Sequence, residues 1–211
     1  MSSSFDKNLL PLFDSVKDND EEIIWTDKPV FIPYLTSGIG LDLLILVFVF
    51  VFIYVYLTGD SDDNNPSTMF WVIGSIPLIQ RFYVFINKLV SFSNTAYAYS
   101  NKRVMIRTGF IGTDFKTIDY DKISDIEVKV SAIERMYNVG TIQFFSGRTE
   151  NTDNGIKKLT DRWIAIRNPY EIFKMVKQIS VDIKTDYSYP NALRPDSNPG
   201  YNTKYKKITK N

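Results

Sequence analysis

Two long apolar runs constrain the fold of this 211-residue chain more than any other feature. The first run, residues 35–58, contains one charged residue, Asp42, and the second, residues 68–90, contains Arg81. Each run is about as long as the ~20 residues that an α-helix needs to cross a bilayer core. A helix in a soluble core is rarely apolar on all faces over such a length. The sequence therefore predicts a two-helix transmembrane hairpin over residues 34–90.

The distribution of lysine and arginine predicts the orientation of this hairpin. The loop that connects the two runs contains three aspartates and no basic residue. Basic residues lie instead before the first run and after the second. By the positive-inside rule, both termini face the cytoplasm. We therefore expect an integral protein of the cell membrane with two spans.

Asp42 and Arg81 are charged residues inside these runs, and two explanations for them stay open. Counted from the connecting loop, their depths differ by roughly 4.5 Å of helix rise, which an arginine side chain can bridge. Ionisable groups in spans usually face a partner, so Asp42 and Arg81 are candidates for an intramembrane ion pair. Alternatively, Arg81 extends to the headgroups of the inner leaflet.

From Thr95 onwards the pattern changes to short alternating runs separated by turn residues, which indicates about six antiparallel strands. Arg107 to Gly109 reads as a hairpin turn, and residues 147–155 as a longer exposed loop. Asn168 and Pro169 then mark the start of a helix with an apolar stripe. The sequence therefore predicts a small β-rich body that is closed by one C-terminal helix.

Taken together, these patterns divide the chain into four parts. The N-terminal cytoplasmic segment is residues 1–33, and the hairpin is residues 34–90, with helices over about 35–58 and 68–90. The β-rich domain is residues 91–183. Residues 184–211 form an extended or disordered tail, because they contain prolines and lack apolar periodicity.

Several segments carry a resemblance to a known family. These are "EEIIWTDKPVFIPYL", "YAYSNKRVMIRTG", "KTIDYDKISDIEV", "IERMYNVGTIQFFS" and "IRNPYEIFKMV". In this order and spacing, over roughly residues 21–181, they resemble the bacterial and archaeal pleckstrin-homology-like membrane proteins, a former domain of unknown function that includes the YdbS-like group. The resemblance implies two packed antiparallel sheets with a helix closing one end of the barrel. It implies no activity, because a shared fold does not transfer a ligand.

The composition argues against catalysis. The chain has no histidine and no cysteine, which excludes the usual zinc sites and the Ser-His and Cys-His nucleophiles. It also lacks a glycine-rich phosphate loop that ends in Gly-Lys-Ser/Thr. We therefore expect no enzymatic activity, no cofactor, no metal and no nucleic-acid partner.

Basic residues provide the candidate binding site. The candidates for contact with anionic lipid are Lys102, Arg103 and Arg107 in the domain and Lys204, Lys206, Lys207 and Lys210 in the tail. A solvated surface of mixed charge explains the same residues, since acids are interleaved with them. In the tail, each lysine near an anionic leaflet contributes about 1 kcal/mol.

Two functions remain open at this point. The first is a membrane-anchored interaction or scaffold module at the cytoplasmic face, with a protein partner or a second copy of the chain. The alternative is a component of lipid-headgroup sensing or envelope homeostasis that binds anionic lipid. The slight preference is for the scaffold, because a tethered domain needs no lipid affinity for targeting.

Overall fold

The computed structural model describes residues 6–38, 47–54, 68–152 and 155–188. Within these residues, seven strands and five helices are found, besides two short 3₁₀ helices, Lys7–Leu12 and Tyr120–Lys122. The strands are β1 (Ile23–Asp27), β2 (Ala96–Ser100), β3 (Arg103–Thr108), β4 (Asp114–Asp119), β5 (Asp125–Lys129), β6 (Val139–Thr152) and β7 (Gly155–Arg167). The helices are α1 (Phe31–Leu35), α2 (residues 47–54), α3 (Thr68–Asn94), α4 (Ala132–Met136) and α5 (Pro169–Ser188).

The strands form two antiparallel sheets, in the orders β1-β2-β3-β4 and β5-β6-β7. Side chains between the sheets make the main core, and their largest members are aromatic, among them Trp25, Tyr99, Phe144 and Trp163. The C-terminal helix α5 closes this core because its stripe, including Ile172 and Val176, packs into it. The predicted sandwich of two sheets with a C-terminal helix is therefore confirmed.

The N-terminal segment differs from its predicted role as a separate part of the chain. Its strand β1 pairs with β2, so that Asp27 lies opposite Tyr97. Upstream of β1, Phe13 is fully buried against Ala98 and Met105 on the outer face of the first sheet. Residues on both sides of the predicted hairpin therefore build one sheet, and the folded body begins well before residue 91.

The predicted membrane hairpin is contradicted. In the part of the chain that the structure describes, no helix combines the length and the apolar character needed to cross a bilayer. In α3, Arg81 and Lys88 interrupt the apolar sequence. The prediction of an integral cell-membrane protein with two spans and both termini in the cytoplasm is therefore wrong.

The exposed loop predicted over residues 147–155 is also corrected. Strands β6 and β7 continue as a paired arm, in which Thr149 lies opposite Lys158 and Thr152 opposite Gly155. A register shift between Phe145 and Thr149 sets this arm off from the rest of the sheet. Its side chains are exposed on both faces, so the alternation that reveals a half-buried strand is missing from the sequence.

The chain path gives the sandwich two distinct ends. Helix α3 ends at Asn94 and β2 starts at Ala96, so β2 runs away from α3 and β3 returns towards it. We call the end next to α3 the helix-side end. It contains the β3–β4 turn, α1, the end of α4 and the start of α5. The opposite end, the far end, contains the β2–β3 turn.

Gly140 at the start of β6 gives the first prediction. A Cβ atom at this position would lie 2.9 Å from Pro169 Cγ and 2.9 Å from Val130 Cγ2. We expect Gly140→Ala to lower the free energy of unfolding by about 1–2 kcal/mol, because this close packing leaves no room for a methyl group. Urea unfolding measures the change, with Gly112→Ala as the control, since a Cβ there meets nothing within 4 Å. An equal effect of both changes would contradict the packing argument.

Candidate functional site

An apolar tip projects from the β3–β4 turn at the helix-side end. Phe110 is 40% exposed and Ile111 is 89% exposed, which is unusual for side chains of this size. The turn is tight at its base: a Cβ atom on Gly109 would lie 2.1 Å from the carbonyl oxygen of Gly112. Glycine is therefore required at position 109, and the turn holds two large apolar side chains in solvent.

This turn is attached to the end of α3. The Asn94 side-chain amide donates to the carbonyl oxygen of Gly109 at 3.3 Å. In the opposite direction, Arg107 Nη1 donates to the carbonyl oxygen of Asn94 at 2.9 Å, and its Nη2 donates to Thr113 Oγ1 at 3.3 Å. Arg107, one of the predicted lipid contacts, therefore lies beneath the apolar tip and connects it to the helix.

Helix α1 is packed against α3 at the same end. The rings of Phe31 and Phe92 meet edge to face with centroids 4.9 Å apart. Lys88 donates to the carbonyl oxygens of Leu35 and Ser37 and, at 2.9 Å, to Ser37 Oγ, so it binds the C-terminal end of α1. Burial lowers the pKa of Lys88, and the nearby Arg81 lowers it further.

A second group of exposed apolar side chains lies at the end of α4. Helix α4 begins with a capping box, because Ser131 Oγ accepts from the Glu134 backbone and the Glu134 carboxylate accepts from the Ser131 backbone. Met136 is 80% exposed. Val139, three residues later, is buried against Tyr34 of α1. Met136 thus lies at the end of the sandwich that also carries Ile111.

Charged side chains of both signs lie at the helix-side end. Two carboxylates here are buried: Asp27 binds Arg167 Nη1 at 2.8 Å, and Glu134 is held by its capping box. Burial raises the pKa of Asp27, although Arg167 opposes the shift. Arg135 and Arg167 are exposed, although Arg167 binds Asp27, and the outward acids are the exposed Asp114 and the half-buried Glu171 at the start of α5. The positive charge nearest the apolar tips comes from Arg107 and Arg135.

Lys102 and Arg103, two of the predicted lipid contacts, lie at the far end instead. Lys102 Nζ binds Asp18 at 3.3 Å and Asp20 at 2.6 Å. Arg103 binds Glu21 at 2.7 Å. The structure therefore separates these two cations from Arg107 and pairs them with acids of the N-terminal segment. Their role in lipid contact stays a prediction.

The remaining predicted site residues are only partly covered by the structure. Arg81 is half-buried on α3. Asp42 lies outside the described residues, and so do the tail lysines Lys204, Lys206, Lys207 and Lys210. The Asp42–Arg81 ion pair and the lipid contacts of the tail therefore stay predictions.

The described residues contain no group of three or more acids placed to hold a metal ion. An open groove of about 410 Å³ crosses the outer face of the β5-β6-β7 sheet. Asp125, Glu127 and Lys129 line it on β5, and Lys158 and Arg162 line it on β7. Interleaved acids and bases on an open sheet are typical of a solvated face, so the apolar tips at the helix-side end are the stronger candidate for a binding surface.

The two sheets, the closing helix and the exposed end together define a pleckstrin-homology-like interaction module. The sequence profile of the bacterial PH domain matches residues 34–169, which is more than half of the chain. The chain therefore belongs to the bacterial PH domain family, and the resemblance found in the sequence is confirmed. The matched region begins after β1 and ends at the first residue of α5.

A solved structure of a DUF1696 family protein with a pleckstrin-homology domain, from Shewanella loihica PV-4, is 14% identical to this chain. The match covers 41% of this chain and 71% of that one, with a TM-score of 0.30. None of the curated proteins matches the chain.

Ile111 and Met136 were not predicted as site residues from the sequence, although a signal was present for Ile111. In "TGFIGT" two large apolar residues stand between the glycines of a turn, where polar residues are the rule. For Met136 no comparable signal exists, because an apolar residue on a short helix is more often part of the core.

Proposed function

We propose that this protein is a non-catalytic interaction module that binds an anionic lipid surface with its helix-side end. The observation that carries the proposal is the apolar tip of Phe110 and Ile111, which the bonds between Asn94, Gly109 and Arg107 hold against the end of α3. These bonds already fix the position of the turn, so insertion of the tip into a bilayer causes little further loss of conformational entropy.

The shape of this end favours a lipid surface over a folded protein. Ile111 and Met136 project from a turn and a helix end, and side chains of this kind can enter the apolar boundary of a bilayer. The exposed apolar surface also continues along α3, where Ile79, Phe82 and Tyr83 are each about two-thirds exposed. Exposed apolar surface of this extent marks an interaction site.

The arginines beside the apolar tips favour binding to an anionic lipid surface. Arg107 lies beneath the tip, and Arg135 precedes Met136 directly in the chain. Cations beside inserted apolar residues are attracted to the negative surface potential of anionic lipids, and this attraction falls with added salt. Insertion of the apolar tips is much less sensitive to salt, so binding should keep a salt-resistant part.

The test uses the absence of cysteine from the chain, because a single introduced cysteine can then be labelled selectively. We expect a polarity-sensitive fluorophore on Ile111→Cys to shift to the blue on anionic vesicles and to be quenched by nitroxide-labelled lipid. The matched control is Ile156→Cys in the β6–β7 arm. Ile156 is 74% exposed but lies at the tip of the arm. It is therefore far from the helix-side end, where β6 begins at Val139. Its label should not respond.

A charged substitution measures how much Ile111 contributes to binding anionic vesicles. Since burying an isoleucine side chain contributes about 1.5–3 kcal/mol, Ile111→Asp should weaken binding to anionic vesicles about tenfold or more. Ile156→Asp should leave it unchanged. Two results would overturn the lipid proposal: labels at both positions that respond equally, or an Ile111 label that responds to rising protein concentration without vesicles. The second result would support the scaffold alternative, in which a partner protein or a second copy covers this end.

A further inference from the structure

The N-terminal segment places an acidic loop on the β2–β3 turn at the far end. The acidic loop is residues 14–22, "DSVKDNDEE", with five acids and one lysine. Asp18 and Asp20 bind Lys102, and Asp18 also binds Arg103 at 3.1 Å. The loop therefore covers the two cations of this turn with carboxylates.

The backbone and the buried side chains of the acidic loop are fixed more firmly than its exposed carboxylates. Phe13, directly before the loop, is fully buried, and Glu21 is buried near the end of the loop against Arg103 and Ser100. The side chains of Asp18 and Asp20 are 54% and 62% exposed. Ion pairs between exposed groups are weak and are screened by salt. The backbone of Asp18 is bonded to Glu21, because the Asp18 N–H donates to the Glu21 carboxylate and the Asp18 carbonyl accepts from the Glu21 N–H. The carboxylates of Asp18 and Asp20 can therefore turn away from Lys102 while the backbone of the loop stays in place.

We propose that the β2–β3 turn is a docking site for an acidic segment of a partner protein, and that the acidic loop occupies this site within the same chain. The occupied site shows the chemistry that it recognises: a chain with closely spaced carboxylates that reach Lys102 and Arg103. An acidic segment of another protein can make the same contacts once Asp18 and Asp20 move away. The acidic loop then competes with the partner's acidic segment, and this competition lowers the affinity of the turn for that segment.

The position of the turn favours a protein over a lipid surface as the partner. Arg103 and Arg107 are roughly 13 Å apart along β3, at opposite ends of the strand. A flat surface in contact with the helix-side end therefore does not reach Lys102. Since the docking site uses the other end of the sandwich, this inference stands or falls independently of the lipid proposal.

The experiment frees Lys102, and removes the Asp18 contact of Arg103, without removing the buried Glu21. In the full chain, Asp18→Asn with Asp20→Asn neutralises the two exposed partners, and Glu21 continues to bind Arg103. The probe is a fluorescent peptide with the sequence of residues 14–22, followed by fluorescence anisotropy. We expect the double variant to bind this peptide at least tenfold more tightly than the unchanged chain, and added salt should weaken the binding.

A matched control removes the same charge from the same loop. Asp14→Asn with Glu22→Gln also neutralises two acids, but neither side chain contacts Lys102 or Arg103 among the bonds that the structure describes. This control should bind no more tightly than the unchanged chain. Adding Lys102→Ala to the double variant should remove the gain. Asp20→Ala alone, which frees the shortest contact of Lys102, provides a second and milder variant if the double variant folds poorly.

Three results would overturn the proposal. The first is peptide binding that stays equally weak in all variants. The second is an equal gain in the double variant and in the matched control, which would indicate a general effect of charge. The third is a double variant that gains affinity for anionic vesicles but not for the peptide, since the turn would then recognise lipid headgroups.

Discussion

Replacing Trp163 by alanine should lower the free energy of unfolding by about 3–5 kcal/mol. Trp163 is fully buried, and its ring lies 4.8 Å from Phe144 and 5.3 Å from Trp25 between ring centroids. Its Nε1 donates to the carbonyl oxygen of Met105 at 3.2 Å, so the change also leaves a buried acceptor without its partner. Typical domains are stable by about 5–15 kcal/mol, and this change removes a large part of that.

Urea unfolding followed by circular dichroism measures the effect. The control is Tyr170→Ala, which removes an aromatic ring that is 62% exposed at the start of α5. It should change the free energy of unfolding by no more than about 0.5 kcal/mol. Similar effects of the two substitutions would mean that Trp163 does not occupy the centre of the core.

The second large effect is expected at Glu21. Its carboxylate accepts from Arg103 Nε at 3.1 Å and from Arg103 Nη2 at 2.7 Å, and the hydroxyl of Ser100 donates to it as well. We expect Glu21→Gln to lower the free energy of unfolding by about 3 kcal/mol, because it leaves the largely buried Arg103 without its main counter-charge. The value lies at the lower end of the range for broken buried pairs, since Asp18 still contacts Arg103.

The effect at Glu21 should depend on pH. Burial raises the pKa of Glu21, but the hydrogen bonds from Arg103 and Ser100 outweigh it, and the pKa falls below the usual 4.5. A carboxyl whose pKa is lower in the folded state stabilises the protein above its unfolded pKa, and the stabilisation is lost as the pH falls through the folded pKa. The gap in unfolding free energy between the unchanged chain and Glu21→Gln should therefore be full at pH 7 and narrow below pH 4.5.

Two results would contradict this account. One is a gap that is the same at both pH values. The other concerns the double substitution Glu21→Gln with Arg103→Met, which removes both charges. It should be less destabilising than the sum of the single changes, because neither charge is then left without its partner. Strict additivity would show that the two side chains do not interact.

The local parts of the fold were predictable from the sequence because they depend on neighbouring residues. Pro169 starts α5 as expected, and the apolar stripe that includes Ile172 and Val176 lies in the core. In β5 the alternation of exposed acids with Ile126 and Val128 matches the observed burial. Period and capping residues are properties of short windows, so no knowledge of the rest of the chain is needed.

The parts that depend on distant residues were not predictable in the same way. The acids that neutralise Lys102 and Arg103 lie about 80 positions earlier in the chain, where the sequence gives no sign of the contact. The apolar runs were assigned to a membrane hairpin from their length and apolar character, and the described helices do not bear this out. The exposed tip at Ile111 depends on how a turn sits against α3, which composition does not reveal.

The pairing of β1 with β2 has a consequence for how the chain is made. Asp27 and Tyr97 lie opposite each other in the sheet, but they are about 70 residues apart in the chain. At about 5–20 residues per second, the ribosome therefore adds Tyr97 several seconds after Asp27. During that delay β1 has no neighbouring strand to pair with. Its Trp25 also lacks its contact with Trp163, which is synthesised later still. The first sheet is therefore completed late in synthesis, and early nascent chains carry an open strand edge that other chains can occupy.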